Sequence, residues 1–140
     1  MKQKFDELMA RFCAAAKLPG VEAIANGAPF TCGDILFAIN RDSKRTQDLI
    51  FIHADFGPAS EELARPVYYT LLEENFISAM DPSGTFGLSP VTGNVVYITQ
   101  MPLAGATIKT LWQTIVSLSE RAQHWRRTQF LDDPALSSVS

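Results

Sequence analysis

Pro66-Val67-Tyr68-Tyr69-Thr70-Leu71-Leu72-Glu73-Glu74-Asn75-Phe76 is followed, after two turns, by Thr85-Phe86-Gly87-Leu88 and Asn94-Val95-Val96-Tyr97-Ile98-Thr99-Gln100. The first part has apolar residues at helical spacing. Pro66 suits a first helical turn, because its missing N–H would be unpaired there anyway. The later segments are typical of a β-hairpin. The stretch from Pro66 to Leu103 therefore predicts a helix to about Ala79, then two strands over 85–88 and 95–101.

The residues before this stretch predict one helix and three strands. Phe5, Leu8, Met9 and Phe12 form one apolar stripe of a helix over 2–18, which Pro19-Gly20 ends. Residues 21–28 are interpreted as a linker. Strands are predicted over 30–32, 35–39 and 49–52, with a polar hairpin loop over 41–47 between the last two.

The strands over 35–39 and 49–52 are apolar on both faces. An antiparallel sheet with one solvated face would show alternation of apolar and polar residues instead. Both faces must therefore be covered, or one of them is a binding surface. Helices of this chain can cover one face, so the second face needs a partner.

After the hairpin, Thr107 is the predicted N-cap of a last helix that reaches about Gln129. The element order is α-β-β-β-α-β-β-α. It predicts an α+β fold with three helices and an antiparallel sheet of about five strands. Residues 1–131 are expected to form a single domain, and residues 132–140 a polar, flexible tail.

Composition narrows the classes of partner. Hydrophobic residues make up 46% of the 140 residues and charged residues 19%. That charged fraction is below the usual ~25%, so apolar surface is left for a partner. A net charge of −3 gives no basic surface for nucleic acid. No apolar run approaches the ~18 residues of a membrane span, and the N-terminus is not a signal peptide.

The residues that could carry chemistry do not form a recognisable site. His53 and His124 have no accompanying nucleophile motif, and Cys13 and Cys32 form no C-x-x-C pair. No metal site, cofactor or catalytic residue is predicted, and the chain is not expected to be an enzyme. Two alternatives stay open. One is a small ligand-binding or sensor domain with a pocket between sheet and helices, and the other is a small enzyme that uses His53.

The order of elements and several residues resemble the class I type III secretion chaperones, the family of the Tir chaperone. The parallels are an N-terminal amphipathic helix and a Gly-turn-strand-strand unit over Gly33–Phe56. Leu71-Leu72-Glu73-Glu74-Asn75 is similar to the Leu-Leu-x-x-Asn helix of that family. A strand with Gly87 and Leu88 follows, and Ala122-x-x-Trp125-Arg126 ends the last helix. The resemblance covers about residues 3–128.

The resemblance implies a homodimeric chaperone of the bacterial cytoplasm that works without ATP hydrolysis. It would hold the N-terminal segment of an effector soluble and secretion-competent, and pass it to the secretion ATPase. Client contacts are expected on the first helix and the sheet. Dimer contacts are expected on the central helix and the neighbouring strands. Each of the residues named next could instead belong to the hydrophobic core. The predicted effector-binding residues are Phe5, Met9, Phe30, Phe37 and Phe51. The predicted dimer residues are Tyr68, Leu72 and Phe86.

Overall fold

The computed structural model of the chain describes residues 2–42, 44, 48–80 and 84–131. The predicted tail over 132–140, most of the loop over 41–47 and the turn at 81–83 lie outside the described residues. The helices are α1 (Lys2–Ala16), α2 (Val21–Ala25), α3 (Ala64–Met80) and α4 (Ile108–Thr128), with a 3₁₀ turn at Leu103–Gly105. The strands are β1 (Phe30–Cys32), β2 (Ile35–Asp42), β3 (Leu49–Gly57), β4 (Thr85–Leu88) and β5 (Val95–Pro102).

The five strands form one antiparallel sheet in the order β1-β2-β3-β5-β4. β3 lies at the centre, and β1 and β4 are the two edges. This confirms the predicted α+β fold and the predicted order of strands and long helices. Among the described residues, no helix is long and apolar enough to cross a membrane.

One face of the sheet carries the hydrophobic core. Alternate side chains of β2, β3 and β5 point to this core face, and nine of them are buried: Ile35, Phe37, Ile39, Ile50, Ile52, Ala54, Phe56, Val95 and Tyr97. Helices α1 and α4 supply the opposing layer. Phe12 of α1 packs edge-on against Phe30 and also contacts Trp112 of α4, with ring centroids 5.6 Å and 5.9 Å apart.

The prediction of a linker over residues 21–28 is wrong, because Val21–Ala25 form the short helix α2. Ile24 is buried in the core and ties this helix to the sheet. The Asn26 side chain donates a hydrogen bond of 2.9 Å to the Glu22 carbonyl at the helix end. Five residues are too few to show a helical period, so only the tertiary contact of Ile24 reveals the helix.

Helix α4 begins where the sequence places it. The Thr107 hydroxyl accepts a hydrogen bond of 3.1 Å from the Thr110 amide, and the Thr110 hydroxyl accepts one of 2.9 Å from the Thr107 amide. This reciprocal pair satisfies two amides that would otherwise be unpaired at the helix start.

The C-terminal half of α4 is fastened to the hairpin that β1 and β2 form. Ser119 donates to the Cys32 carbonyl at 3.2 Å, beside the tight Gly33-Asp34 turn between β1 and β2. Gly33 has a positive φ of 57°, and a Cβ there would lie against the Ser119 hydroxyl oxygen. Glycine therefore suits this turn in both conformation and space.

Candidate interaction surfaces

The second face of the sheet is only partly covered, and we call it the open face. It is formed by the side chains that alternate with the core residues on the three middle strands: Leu36, Ala38, Asn40, Phe51, His53, Asp55, Val96, Ile98 and Gln100. All are half-buried or exposed, and Leu36 is 41% exposed. The open face therefore presents apolar side chains to solvent, as the two-sided apolar strands predict.

The C-terminal half of α3 borders the open face and forms a groove with it. The groove has a volume of about 370 Å³. Phe51 and Ile98 belong to its sheet side, and Asn75, Ser78 and Ala79 to its helix side. No acidic or basic side chain lines it among the residues that the structure describes. The groove extends the open face towards α3 without adding a charged group.

His53 lies at the centre of the open face. Its register partners are Ala38 on β2 and Ile98 on β5. Asp55 is on the same face two residues along β3, where it accepts hydrogen bonds from the Asn94 side chain and the Gly57 amide. Partial burial removes water from the imidazole and lowers the pKa of His53. The side chain is accordingly neutral at pH 7 and compatible with an apolar surface.

A second apolar surface lies on α3. Leu72 is 68% exposed and Phe76 is 73% exposed, and Tyr68, Tyr69 and Ile77 are exposed around them. We call these five residues the α3 stripe. Large exposed apolar patches on soluble proteins mark sites of protein association. Leu88 on β4 is also exposed, and it lines a small apolar cleft together with Tyr68 and Leu72.

Arg121 links α3, α4 and the end of the sheet. Its guanidinium carbon lies 5.1 Å from the Phe86 ring centroid, 5.0 Å from Tyr97 and 5.6 Å from Phe130. The same side chain forms an ion pair of 3.3 Å with Glu74 on α3. A cation over aromatic faces is attracted by their negative charge density, so Arg121 holds α3 against the core from above Phe86.

The Tir chaperone protein (CesT) family matches residues 31–126, which is more than half of the chain. The chain belongs to the Tir chaperone family. A search of characterised protein sequences found no match. The family assignment confirms the resemblance that the residues suggested.

Three solved structures have the same fold as this chain. The crystal structure of the ExsC–ExsE complex has a TM-score of 0.73 and 21% identity, over 91% of this chain and 94% of that chain. The HopA1–SchA chaperone–effector complex has a TM-score of 0.69 and 14% identity, over 90% and 95%. The Yersinia pestis type III secretion chaperone SycH, in complex with a stable fragment of YscM2, has a TM-score of 0.60 and 15% identity, over 86% and 98%. At these identities the likeness establishes the fold of this Tir chaperone family member.

The structure separates the predicted effector-binding residues into two groups. Phe5, Met9, Phe30 and Phe37 are buried in the core between the sheet and the helices. In this conformation they have no free surface for a client, which favours the core role that the sequence left open. Phe51 is half-buried on the open face. A role of these residues in client binding stays a prediction.

The predicted dimer residues are brought together on one side of the molecule. Tyr68 and Leu72 belong to the α3 stripe, whereas Phe86 is only 6% exposed and lies beneath Arg121. Sequence reasoning did not single out Tyr69, Phe76 and Ile77 as surface residues, although all three are exposed. The sequence does indicate exposed apolar residues on α3, because apolar residues occur around its whole circumference and only one side of a helix can face its own core.

The two histidines are not brought together. His53 is on the open face, and His124 is on α4, which packs on the core face and places His124 beside the Phe130 ring. Burial raises the pKa of both the Cys13 and the Cys32 thiols, so neither is an activated nucleophile. Among the described residues, no group of three or more His, Cys, Asp or Glu could hold a metal ion.

Proposed function

We propose that this Tir chaperone family member binds an effector of a type III secretion system and keeps the N-terminal segment of that effector soluble and extended. The observation that carries this proposal is the open face, an apolar sheet surface opposite the helix-covered core. An extended client loses conformational entropy when it binds. A long apolar contact offsets that loss by removing hydrophobic area from water. The three similar structures, each a complex named above, support a partner of this kind.

The client site that we propose is centred on Phe51 and includes Leu36 and Ile98. These side chains are accessible without any movement of α1 or α4. The edge strand β1 offers a further contact, because a client strand can add to a sheet edge through backbone hydrogen bonds. Thr31 is the middle residue of β1, and the two-residue Gly33-Asp34 turn places its amide and carbonyl outward. The Pro29 ring before β1 keeps such an addition short.

A homodimer through the α3 stripe is the second part of the proposal. Leu72 and Phe76 would lie at its centre, with Tyr68 beside them and Phe86 supporting the helix from below. Isologous dimers bring the same patch of each copy together. A single exposed helix face flanked by Leu88 suits such a contact.

We further propose that the chaperone acts in the bacterial cytoplasm without hydrolysing ATP, and that it delivers its client to the secretion ATPase. The sequence has no phosphate-binding loop motif. Membership of a chaperone family favours a binding protein over an enzyme.

Co-expression with effectors encoded near the chaperone gene tests the central claim. A tagged chaperone should retain one effector through size-exclusion chromatography, and the retained region should map to the N-terminal segment of the effector by limited proteolysis. Phe51→Asp should abolish this retention. Glu120→Gln, on the exposed side of α4, is the matched control and should leave it intact. Absence of any stable complex with neighbouring effectors would overturn the proposal.

A further inference from the structure

The edge strand β4 has its outward-facing backbone groups already occupied at one residue. β4 pairs with β5 on one side only, in the register Phe86↔Tyr97. Alternate residues of an antiparallel edge strand point their amide and carbonyl away from the neighbouring strand. Such exposed edges pair readily with further strands, in the same molecule or in another copy.

The side chain of Asn75 occupies that outward pair at Phe86. Asn75 Nδ2 donates a hydrogen bond of 3.0 Å to the Phe86 carbonyl, and Asn75 Oδ1 accepts one of 2.8 Å from the Phe86 amide. A side-chain amide carries one donor group and one acceptor group in a plane, as a backbone peptide does. It can therefore replace the contact that an added strand would make at this residue.

We propose that Asn75 closes the β4 edge and thereby prevents edge-to-edge association of chaperone molecules through this strand. β4 has only four residues, so an added strand would rely on the outward groups of Phe86 and Leu88. Occupation of the Phe86 pair leaves too little backbone for a stable addition.

The two edge strands differ in whether a side chain occupies their outward-facing backbone groups. Among the residues that the structure describes, no side chain makes a corresponding pair of hydrogen bonds to Thr31 on β1. Strand addition is therefore directed to β1 and away from β4, where α3 would otherwise be displaced. This asymmetry does not depend on which client the chaperone binds, so it goes beyond the proposed function.

The test uses the purified protein without a client, so its failure is separate from a failure of the proposed function. Asn75→Ala removes both hydrogen bonds, Asn75→Asp retains an acceptor for the Phe86 amide but removes the donor, and Ser78→Ala on the same helix is the control. Hydrogen exchange of the Phe86 amide is measured at low concentration, where association is smallest. Sedimentation velocity then follows size over a rising concentration series.

In Asn75→Ala, the Phe86 amide should exchange roughly fivefold faster or more, because one hydrogen bond is lost. This variant should also form species larger than the wild type at high concentration. Asn75→Asp should keep the protection of the amide but still associate, since the Phe86 carbonyl is free, and Ser78→Ala should match the wild type. Wild-type exchange in Asn75→Ala, or a wild-type size distribution in both folded Asn75 variants, would overturn the inference. Should Asn75→Ala fail to fold, the size distribution of Asn75→Asp decides.

Discussion

His53 is a titratable side chain at the centre of the open face, and its surroundings lower its pKa. Burial between β2 and β5 lowers its pKa below the ordinary 6.5. The unfolded chain, with the ordinary pKa, then takes up a proton more readily than the folded chain as the pH falls through this range. Folding stability should therefore be highest above about pH 7 and decrease as the pH falls below 6.5.

Replacement of His53 should reduce this pH dependence. In His53→Gln, the difference in urea midpoint between pH 7.5 and pH 5.5 should be smaller than in the wild type, because the titrating group is gone. Chemical denaturation followed by tryptophan fluorescence measures it. His124→Gln controls for the removal of a histidine from another part of the chain. An unchanged pH dependence in His53→Gln would show that His53 is not the responsible group.

Arg121 makes both an ion pair and cation–π contacts, and substitutions can separate their contributions to folding stability. Its ion pair with Glu74 is about one-third exposed at both partners, and such pairs contribute about 0–1 kcal/mol. Its stacking over three rings adds roughly 1–2 kcal/mol where the rings are desolvated. Arg121→Met should therefore lower the free energy of unfolding more than Glu74→Gln does. Equal losses in the two variants, measured by urea denaturation, would assign the stabilisation to the ion pair alone.

At the scale of elements, α3 has two apolar sides that differ in exposure. Leu71 is 6% exposed and packs inward, whereas its neighbour Leu72 is 68% exposed on the α3 stripe. Adjacent side chains on a helix point about 100° apart, so Leu71 faces the core while Leu72 faces solvent. The sequence alone does not distinguish them.

Asp substitution at these two leucines should give different outcomes. Leu72→Asp should keep the fold but convert the proposed dimer of twice 15.4 kDa into a monomer, since removing a charge from water at the centre of an apolar interface is costly. Leu71→Asp should lose stability, because an unpaired charge would be buried in the core. Light scattering after size exclusion, together with circular dichroism, measures both. A dimeric Leu72→Asp would place the subunit contact elsewhere.

The elements that the sequence predicts correctly are those with a strong local pattern. The long helices, the five strands and the Thr107 cap follow from periodicity, turn residues and capping chemistry. The helix at Val21–Ala25 does not, because five residues carry too little pattern and Ile24 acts through a distant contact. Nor does the link between Asn75 and Phe86, which joins residues eleven positions apart through tertiary geometry.

At the scale of the whole molecule, the sequence does not determine which apolar face of the sheet is open. Strands that are apolar on both sides indicate a second covered or binding face, but they carry no information on where the helices pack. The structure buries Phe37 on the helix-covered core face and leaves Phe51 half-buried on the other face. Hydrophobicity alone therefore does not distinguish a surface residue such as Phe51 from a core residue such as Phe37.

A comparison of Phe37 and Phe51 tests the two faces directly. Phe37→Ala should cost about 3–5 kcal/mol of folding stability, because it leaves a cavity in the core. Phe51→Ala should cost less, since its side chain is only half-buried, but it should weaken retention of a co-expressed effector. Urea denaturation gives the stabilities, and co-purification at a temperature where both variants are folded gives the binding. If Phe37→Ala kept its stability and lost the effector while Phe51→Ala retained it, the client would bind on the helix-covered side, and α1 would have to move to admit it.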